Sequence, residues 1–222
     1  FIDRLATYLM SNPSQIDIII VANETAGSMK DIVHYIRKKY PWLKFEILQR
    51  KGYMRSYGAL VRFGMAYSTS HYVVLLSPYG EDDIGLIMPM LQKIRDGFQV
   101  VQATRYACSA DTKRVQLRFR IYQYFYRFST KLLLGFSISD STYAFKMFDR
   151  VFIQALGLNQ NGYSICPEIT FKALLSEAKV AYISSKFNDT VINRDFKLCR
   201  EGIGYFWLLI RGFVHRLGIL WF

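Results

Sequence analysis

The segment Tyr72-Val73-Val74-Leu75-Leu76-Ser77-Pro78-Tyr79-Gly80-Glu81-Asp82-Asp83 carries the features around which the rest of the chain can be arranged. Its first five residues are apolar, include two adjacent valines and are stopped by Pro78 and Gly80, as in a strand buried on both faces and central to a sheet. In open α/β sheets a ligand crevice lies beyond the carboxyl ends of such strands, which puts Ser77 to Asp83 at the mouth of a site. A purely local reading stands beside it. Pro78-Tyr79-Gly80 is then a turn, and Glu81-Asp82-Asp83 supplies acidic residues to the start of a helix, where its dipole favours them.

Upstream, Ile2, Leu5, Ala6 and Leu9 share one helical face, and Ile16 to Val21 reads as a second buried strand ending in the polar loop Ala22 to Gly27. Ser28 and Asp31 have capping-box spacing, and Met29, Ile32, Val33 and Ile36 repeat at helical intervals until Lys38-Lys39 and Pro41. Phe45 to Leu48 is a short strand, Arg50 to Tyr57 a basic loop, and Leu60, Val61, Gly64 and Met65 form the inner face of the next helix. Downstream, Leu86, Ile87, Met90, Leu91 and Ile94 mark a helix, 98–103 a strand, 142–148 a strand, 168–178 a helix and 180–184 a strand. This alternation predicts an α/β fold with a mostly parallel sheet and right-handed crossovers. Because the chain opens inside a helix and without Met, a further segment is expected before Phe1.

With 222 residues and 51% hydrophobic content the chain can bury one full core, which excludes a disordered protein. Sixteen Tyr and seventeen Phe accompany a net charge of +12, a combination found on nucleic-acid binders and on proteins at anionic membrane surfaces. Cys108, Cys166 and Cys199 are too widely spaced for a metal knuckle and read as free thiols in a reducing compartment. No apolar run approaches the roughly 20 residues of a membrane span.

Two later segments are amphipathic. Lys113, Arg120, Arg127 and Lys131 fall on one helical face beside Phe119, Tyr122, Phe125, Tyr126, Leu132 and Leu133. In Arg200 to Phe222, Arg200, Arg211 and His215 share a face, while Tyr205, Phe206, Trp207, Leu209, Phe213, Leu217, Leu220, Trp221 and Phe222 are apolar. Either helix can be a core element with a basic edge or can lie against lipid headgroups.

Several segments, in order, resemble the family 2 glycosyltransferases of the GT-A fold. They are Val21-Ala22-Asn23-Glu24-Thr25-Ala26-Gly27-Ser28, then Arg55-Ser56-Tyr57-Gly58-Ala59-Leu60 with Gly64, the strand at 72–76, and Ala103-Thr104-Arg105-Tyr106. Asp140-Ser141-Thr142-Tyr143-Ala144-Phe145-Lys146, and Asn161-Gly162-Tyr163 followed by Glu168, are similar to segments of the polyprenyl-phosphate sugar synthases, the branch typified by dolichol-phosphate mannose synthase. The resemblance implies a Rossmann-like GT-A domain over residues 1–199, with the family's first strand before Phe1, and an amphipathic, membrane-facing helix over 200–222. The chain departs from the family at two acidic elements. Ala22-Asn23-Glu24-Thr25 stands for Asp-Asp-Gly-Ser, and Ser77-Pro78-Tyr79 stands for the Asp-x-Asp that binds a divalent metal and the sugar-nucleotide.

The activity implied is hexose transfer from a sugar-nucleotide to a polyprenyl phosphate at the cytosolic membrane face. On that resemblance Asn23, Ser77 and Tyr79 contact the donor, Arg105 holds phosphate, and Asp140 and Glu168 orient sugar hydroxyls or the acceptor loop. Arg194 and Lys197 meet acceptor phosphate, and Mg2+ or Mn2+ passes to Glu81, Asp82 or Asp83 if the loop folds back. Ser and Tyr offer a hard cation only neutral oxygens. A second reading is a catalytically inactive, transferase-derived subunit acting with a protein partner or as a homo-oligomer. A third is a basic polyanion binder with steep salt dependence, although no nucleic-acid motif is spelled out.

Overall fold

The computed structural model describes residues 1–11, 16–23, 29–50, 56–106, 115–186, 198–219 and 222, and the side chains of 198–200 lie outside that description. Helix α1 (Ile2–Ser11) buries Leu5, Ala6 and Leu9 and leads to β1 (Ile18–Asn23). Helix α2 (Met29–Lys39) joins β1 to β2 (Phe45–Arg50), and the two strands pair in parallel from Ile18 opposite Phe45 to Asn23 opposite Arg50. Met29 and Ile36 are buried as the periodicity predicts, whereas Ile32 is exposed because its position on the helix turns away from the sheet. Ser28, the expected cap, lies outside the described residues.

Helix α3 (Tyr57–Tyr67) then leads to β3 (Tyr72–Leu75), a 3-10 turn (Ile84–Leu86), α4 (Ile87–Arg95) and β4 (Val100–Thr104). After α5 (Leu117–Leu134), which Gly135 ends at φ 78°, come β5 (Lys146–Asp149), α6 (Arg150–Ala155), α7 (Ile165–Leu175), β6 (Val180–Ser184) and α8 (Leu198–Arg216).

The architecture is α/β, with two corrections to the expected sheet. The strands form a two-stranded sheet, β1-β2, and a four-stranded sheet in the order β3-β5-β4-β6, so β3 is an edge strand among the described residues instead of a central one. Pairing is mixed: β4 and β6 are parallel, whereas β5 runs antiparallel between β3 and β4. β5 also begins at Lys146, four residues later than its sequence predicts. The Asp140 carboxylate accepts the backbone N–H groups of Thr142 and Tyr143 at 3.1 and 3.2 Å, and this side-chain cap bends residues 140–143 into a turn.

Side chains on β3 alternate between two cores. Tyr72 and Val74 pack with Leu5, Leu9 and Ile87, and Val73 and Leu75 with Met65 and Ile169. A third core joins α5, α7 and α8 through Tyr126, Phe171 and Tyr205.

The outward faces of α5 and α8 are apolar. Tyr124, Phe125, Phe128 and Leu132 on α5 are 60–69% exposed, as are Ile203, Phe206 and Trp207 on α8 at 58–63%. On α5 these residues share the face opposite buried Gln123, Tyr126 and Thr130. Exposed Arg118, Lys131 and Arg211 stand beside these stripes. Among the described residues no helix is long and apolar enough to cross a membrane. Cys166 is a buried free thiol pushed up to about 11 by burial, which keeps it un-ionised; Cys108 and the Cys199 side chain lie outside the described residues.

Candidate active site

The loop after β3 folds back on itself. Gly80 adopts φ 82°, a left-handed conformation that glycine enters at little cost, and its carbonyl accepts a 2.8 Å hydrogen bond from Arg4 on α1. This turn brings Asp82 beneath Ser77. One carboxylate oxygen accepts the Ser77 N–H at 2.6 Å, and the other accepts the Tyr143 hydroxyl at 2.7 Å. Burial pushes the Asp82 carboxyl up to about 7, against the pull of those two hydrogen bonds. Glu81 is also raised, first by burial, while the Ser77 hydroxyl and the charge of Arg105 act the other way. Asp83 occupies the N-cap position of the 3-10 turn without a capping hydrogen bond from its side chain.

Asn23, Ser77, Tyr79 and Glu81 line one cleft, together with Tyr57 and Tyr163. Ser77 is 7% exposed and its hydroxyl accepts the Tyr79 N–H at 3.3 Å. The Oδ1 atom of Asn23 is buried and has no hydrogen-bond partner among the described residues.

Arg105 and Asp140 form a buried bidentate ion pair, Nε to Oδ2 at 2.7 Å and Nη2 to Oδ1 at 3.0 Å. Nη2 also donates to Thr142 Oγ1 at 2.9 Å, and the guanidinium lies over the Tyr143 ring at 4.8 Å. Burial alone would raise the Asp140 carboxyl, but the adjacent guanidinium outweighs it and holds the group below its ordinary value. The same guanidinium reaches Glu81 and Asp82 electrostatically, so Asp140, Arg105, Tyr143, Asp82 and Ser77 form one continuous polar chain into the cleft.

Glu168 sits elsewhere in the scaffold. It is fully buried, accepts the N–H groups of Asn159 and Gln160 at 2.9–3.2 Å, and pairs with Lys172 at 3.2 Å. It therefore shapes the 159–163 loop. That loop presses on the start of α3: Ala59 N–H donates to Asn161 O at 3.2 Å, Arg62 reaches Asn161 Oδ1 at 3.0 Å, and Tyr57 stacks on Tyr163 with centroids 4.6 Å apart. Two segments about 100 residues apart in sequence thus meet at the cleft wall, and Glu201 of α8 accepts the Tyr163 N–H at 3.2 Å.

No local motif marks Tyr143, Tyr57, Tyr163 or Glu201 as site residues, although the first three lie inside the segments that carry the resemblance. Lys146 likewise carries no sequence signal beyond its place in the 140–146 segment. Its buried ammonium donates to Gln102 Oε1, Ser141 O, Cys166 O and Thr170 Oγ1 at 2.8–3.0 Å, and burial lowers it to about 8. It ties the 140–143 turn to α7. Arg194 and Lys197 lie outside the described residues.

Residues 77–79 contribute no carboxylate, and both Asp82 oxygens are occupied within the protein. Among the described residues no three His, Cys, Asp or Glu side chains gather as a metal site. Glu81 is left as a cleft-lining carboxylate, which fits a cation held mainly by a ligand's own phosphates and does not fit an all-protein cage.

None of the curated proteins compared matches the chain. Among solved structures it resembles Mycobacterium tuberculosis glucosyl-3-phosphoglycerate synthase in complex with UDP, at TM-score 0.64 and 14% identity over 97% of this chain and 76% of that one. The same enzyme with Mn2+, UDP-glucose and glycerol 3-phosphate gives TM-score 0.61 and 15% identity over the same shares. Another crystal structure, of a mycobacterial protein, gives 0.60 and 13% over 98% and 71%. At such identities the likeness is one of fold. The glycosyl transferase family 2 profile matches residues 1–157, and with the GT-A arrangement of strands, helices and cleft this shows that the chain belongs to glycosyltransferase family 2.

Proposed function

We propose that the protein transfers a hexose from a sugar-nucleotide to a phosphate-bearing lipid of the polyprenyl phosphate type at the cytosolic face of an anionic membrane. The observation that carries this reading is the fold-back of the loop after β3, which sets Glu81 in the same cleft as Asn23, Ser77 and Tyr79 after the Asp-x-Asp has been lost. Glu81 would anchor Mg2+ or Mn2+ on the donor diphosphate, where the cation's chemistry is to neutralise the leaving group. Ser77 and Asn23 would hydrogen-bond the donor, and an acceptor phosphate, already ionised at neutral pH, needs no strong general base. The segment likeness to the polyprenyl-phosphate branch supports the acceptor class. The outward aromatic stripes of α5 and α8, with Arg118, Lys131 and Arg211 beside them, support the membrane face.

One observation favours the alternative of a transferase-derived, non-catalytic subunit: both oxygens of Asp82 are consumed by Ser77 and Tyr143. Calorimetric titration with UDP-glucose and GDP-mannose, with and without Mn2+, separates the two. It is followed by turnover assays with polyprenyl phosphate in anionic vesicles or with soluble 3-phosphoglycerate. The transferase reading expects metal-dependent binding and turnover on the lipid acceptor, with turnover falling about 100-fold in Glu81→Gln. Binding without metal dependence and without turnover selects the non-catalytic subunit, and turnover on the soluble acceptor alone overturns the lipid assignment.

A further inference from the structure

We infer that the outer edge of β2, with the basic flank of α2 beside it, is a docking groove for an acidic, extended segment of a protein partner, taken up as an added strand. The groove measures about 720 Å³, with Val33 and Ile47 among its apolar lining and Lys30, His34, Arg37 and Lys38 as its basic residues. None of Asn23, Ser77, Tyr79 and Glu81 lines it, so this surface is separate from sugar transfer.

The two flanks of α2 differ. Tyr35 and Lys39 reach Asp3 of α1 at 2.7 and 3.1 Å, which holds that flank against the neighbouring helix. Lys30, His34 and Lys38 recur every four residues along the other flank, and all three are exposed, as is Arg37. Among the described residues no carboxylate pairs with Lys30, Arg37 or Lys38. Three cations on one flank repel one another, and an anionic occupant turns that repulsion into attraction.

The strand edge specifies the form of the occupant. Among the described residues β2 pairs with β1 alone, so its other edge presents main-chain donors and acceptors in series, which an extended peptide can satisfy in register. Phe45 packs in the core that contains Ile36 of α2, and Ile47 and Gln49 line the groove, so these three face α2 while Glu46 and Leu48 face the other way. An added strand would turn every second side chain toward α2, where acids are favoured. The intervening side chains would meet Leu48 and the exposed Glu46, where apolar or basic residues are favoured. The lengths agree: Lys30 to Lys38 covers about 12 Å of helix, and acids at three alternate positions of a strand cover about 13 Å. A second copy of this chain does not fit, because pairing two β2 edges would set one basic flank against another. A lipid surface has no main chain to offer the strand.

The test uses a capped seven-residue peptide of alternating glutamate and valine, and its counterpart with glutamine for glutamate. Binding is followed by fluorescence anisotropy, and the protein's amides by hydrogen exchange. The acidic peptide should saturate the protein at or below about 1 mM and bind at least about tenfold more tightly than the glutamine peptide. Residues 45–50 should exchange at least about tenfold more slowly in the complex. The double variant Lys30→Glu with Lys38→Glu should bind at least about tenfold more weakly with an unchanged urea midpoint, since both side chains are exposed. No binding at that concentration, binding that leaves 45–50 unprotected, or equal binding by the double variant overturns the assignment. So does binding of duplex DNA or phosphatidylserine vesicles through Lys30 and Lys38 when the peptide does not bind, which would give the groove to a different polyanion.

Discussion

Replacing Asp82 by Asn should stabilise the fold at neutral and alkaline pH. Asp82 is 1% exposed, and burial is the main force that moves its carboxyl from 3.8 to about 7. A raised carboxyl means that folding favours the protonated form. Stability from this group is greatest below about pH 4, falls as the pH climbs toward 7, and stays reduced above that. The displacement corresponds to about 4 kcal/mol at roughly 1.4 kcal/mol per pH unit. Water entry and local relaxation soften the burial of a real carboxylate, so the expected gain is about 2 to 4 kcal/mol at pH 8. Asn preserves the geometry, since its carbonyl oxygen can accept the Ser77 N–H while its amide donates to the Tyr143 oxygen. Urea unfolding of both proteins at pH 4, 6 and 8, followed by tryptophan fluorescence, measures the effect. The gain should be largest at pH 8 and vanish near pH 4. An Asp82→Asn protein less stable than the parent at pH 8, or a difference independent of pH, refutes the placement of this carboxyl in a dry, committed site.

Gly58→Ala should destabilise by about 2 kcal/mol or more, because the added Cβ would lie 2.5 Å from Gln160 O and 2.7 Å from Gly162 O, backbone atoms that cannot step aside. Were that contact absent, better helix propensity would raise the melting temperature, so the sign decides the matter. Lys146→Met leaves three buried acceptors and a hydroxyl without their donor and should cost about 3 to 5 kcal/mol in urea unfolding. The parent's stability from this group rises as the pH passes from about 8 toward 10.5, since folding favours the neutral amine, and the variant should lack that rise. The double variant Phe125→Ser with Phe128→Ser should leave stability within about 0.5 kcal/mol, because both rings are at least 60% exposed. Its binding to anionic vesicles in co-sedimentation should fall about tenfold or more for each ring removed.

Much of the fold was legible because period and punctuation agree. The apolar runs at 16–21, 72–76 and 98–103 are stopped by polar, Pro or Gly residues, and each lies on a strand. The antiparallel entry of β5 was not legible, because strand direction depends on where a long connection delivers the chain, which residue pattern does not encode. Nor was the late start of that strand, which follows from the Asp140 carboxylate capturing two backbone amides ahead of the sheet. At the site, Asn23, Ser77 and Tyr79, which the resemblance groups at the donor, line one cleft. The fold-back of Glu81 and Asp82 depends on Gly80 and on Arg4 from α1, a contact 76 residues long in sequence that no local motif announces.

Three of the acids that the resemblance assigns to chemistry are occupied in holding backbone. Asp140 caps Thr142 and Tyr143, Glu168 caps Asn159 and Gln160, and Asp82 caps Ser77. Each shapes a loop that ends at or near the cleft, so removing any one of them should disturb the site whether or not transfer occurs there. Loss of function on mutating these residues therefore does not distinguish an enzyme from a binding subunit. Glu81 is different, because it lines the cleft and its Ser77 contact is to a side-chain hydroxyl instead of the main chain. A Glu81→Gln protein that keeps the parent's urea midpoint yet loses metal-dependent donor binding would separate chemistry from scaffold in a way that substitution of the three capping acids cannot.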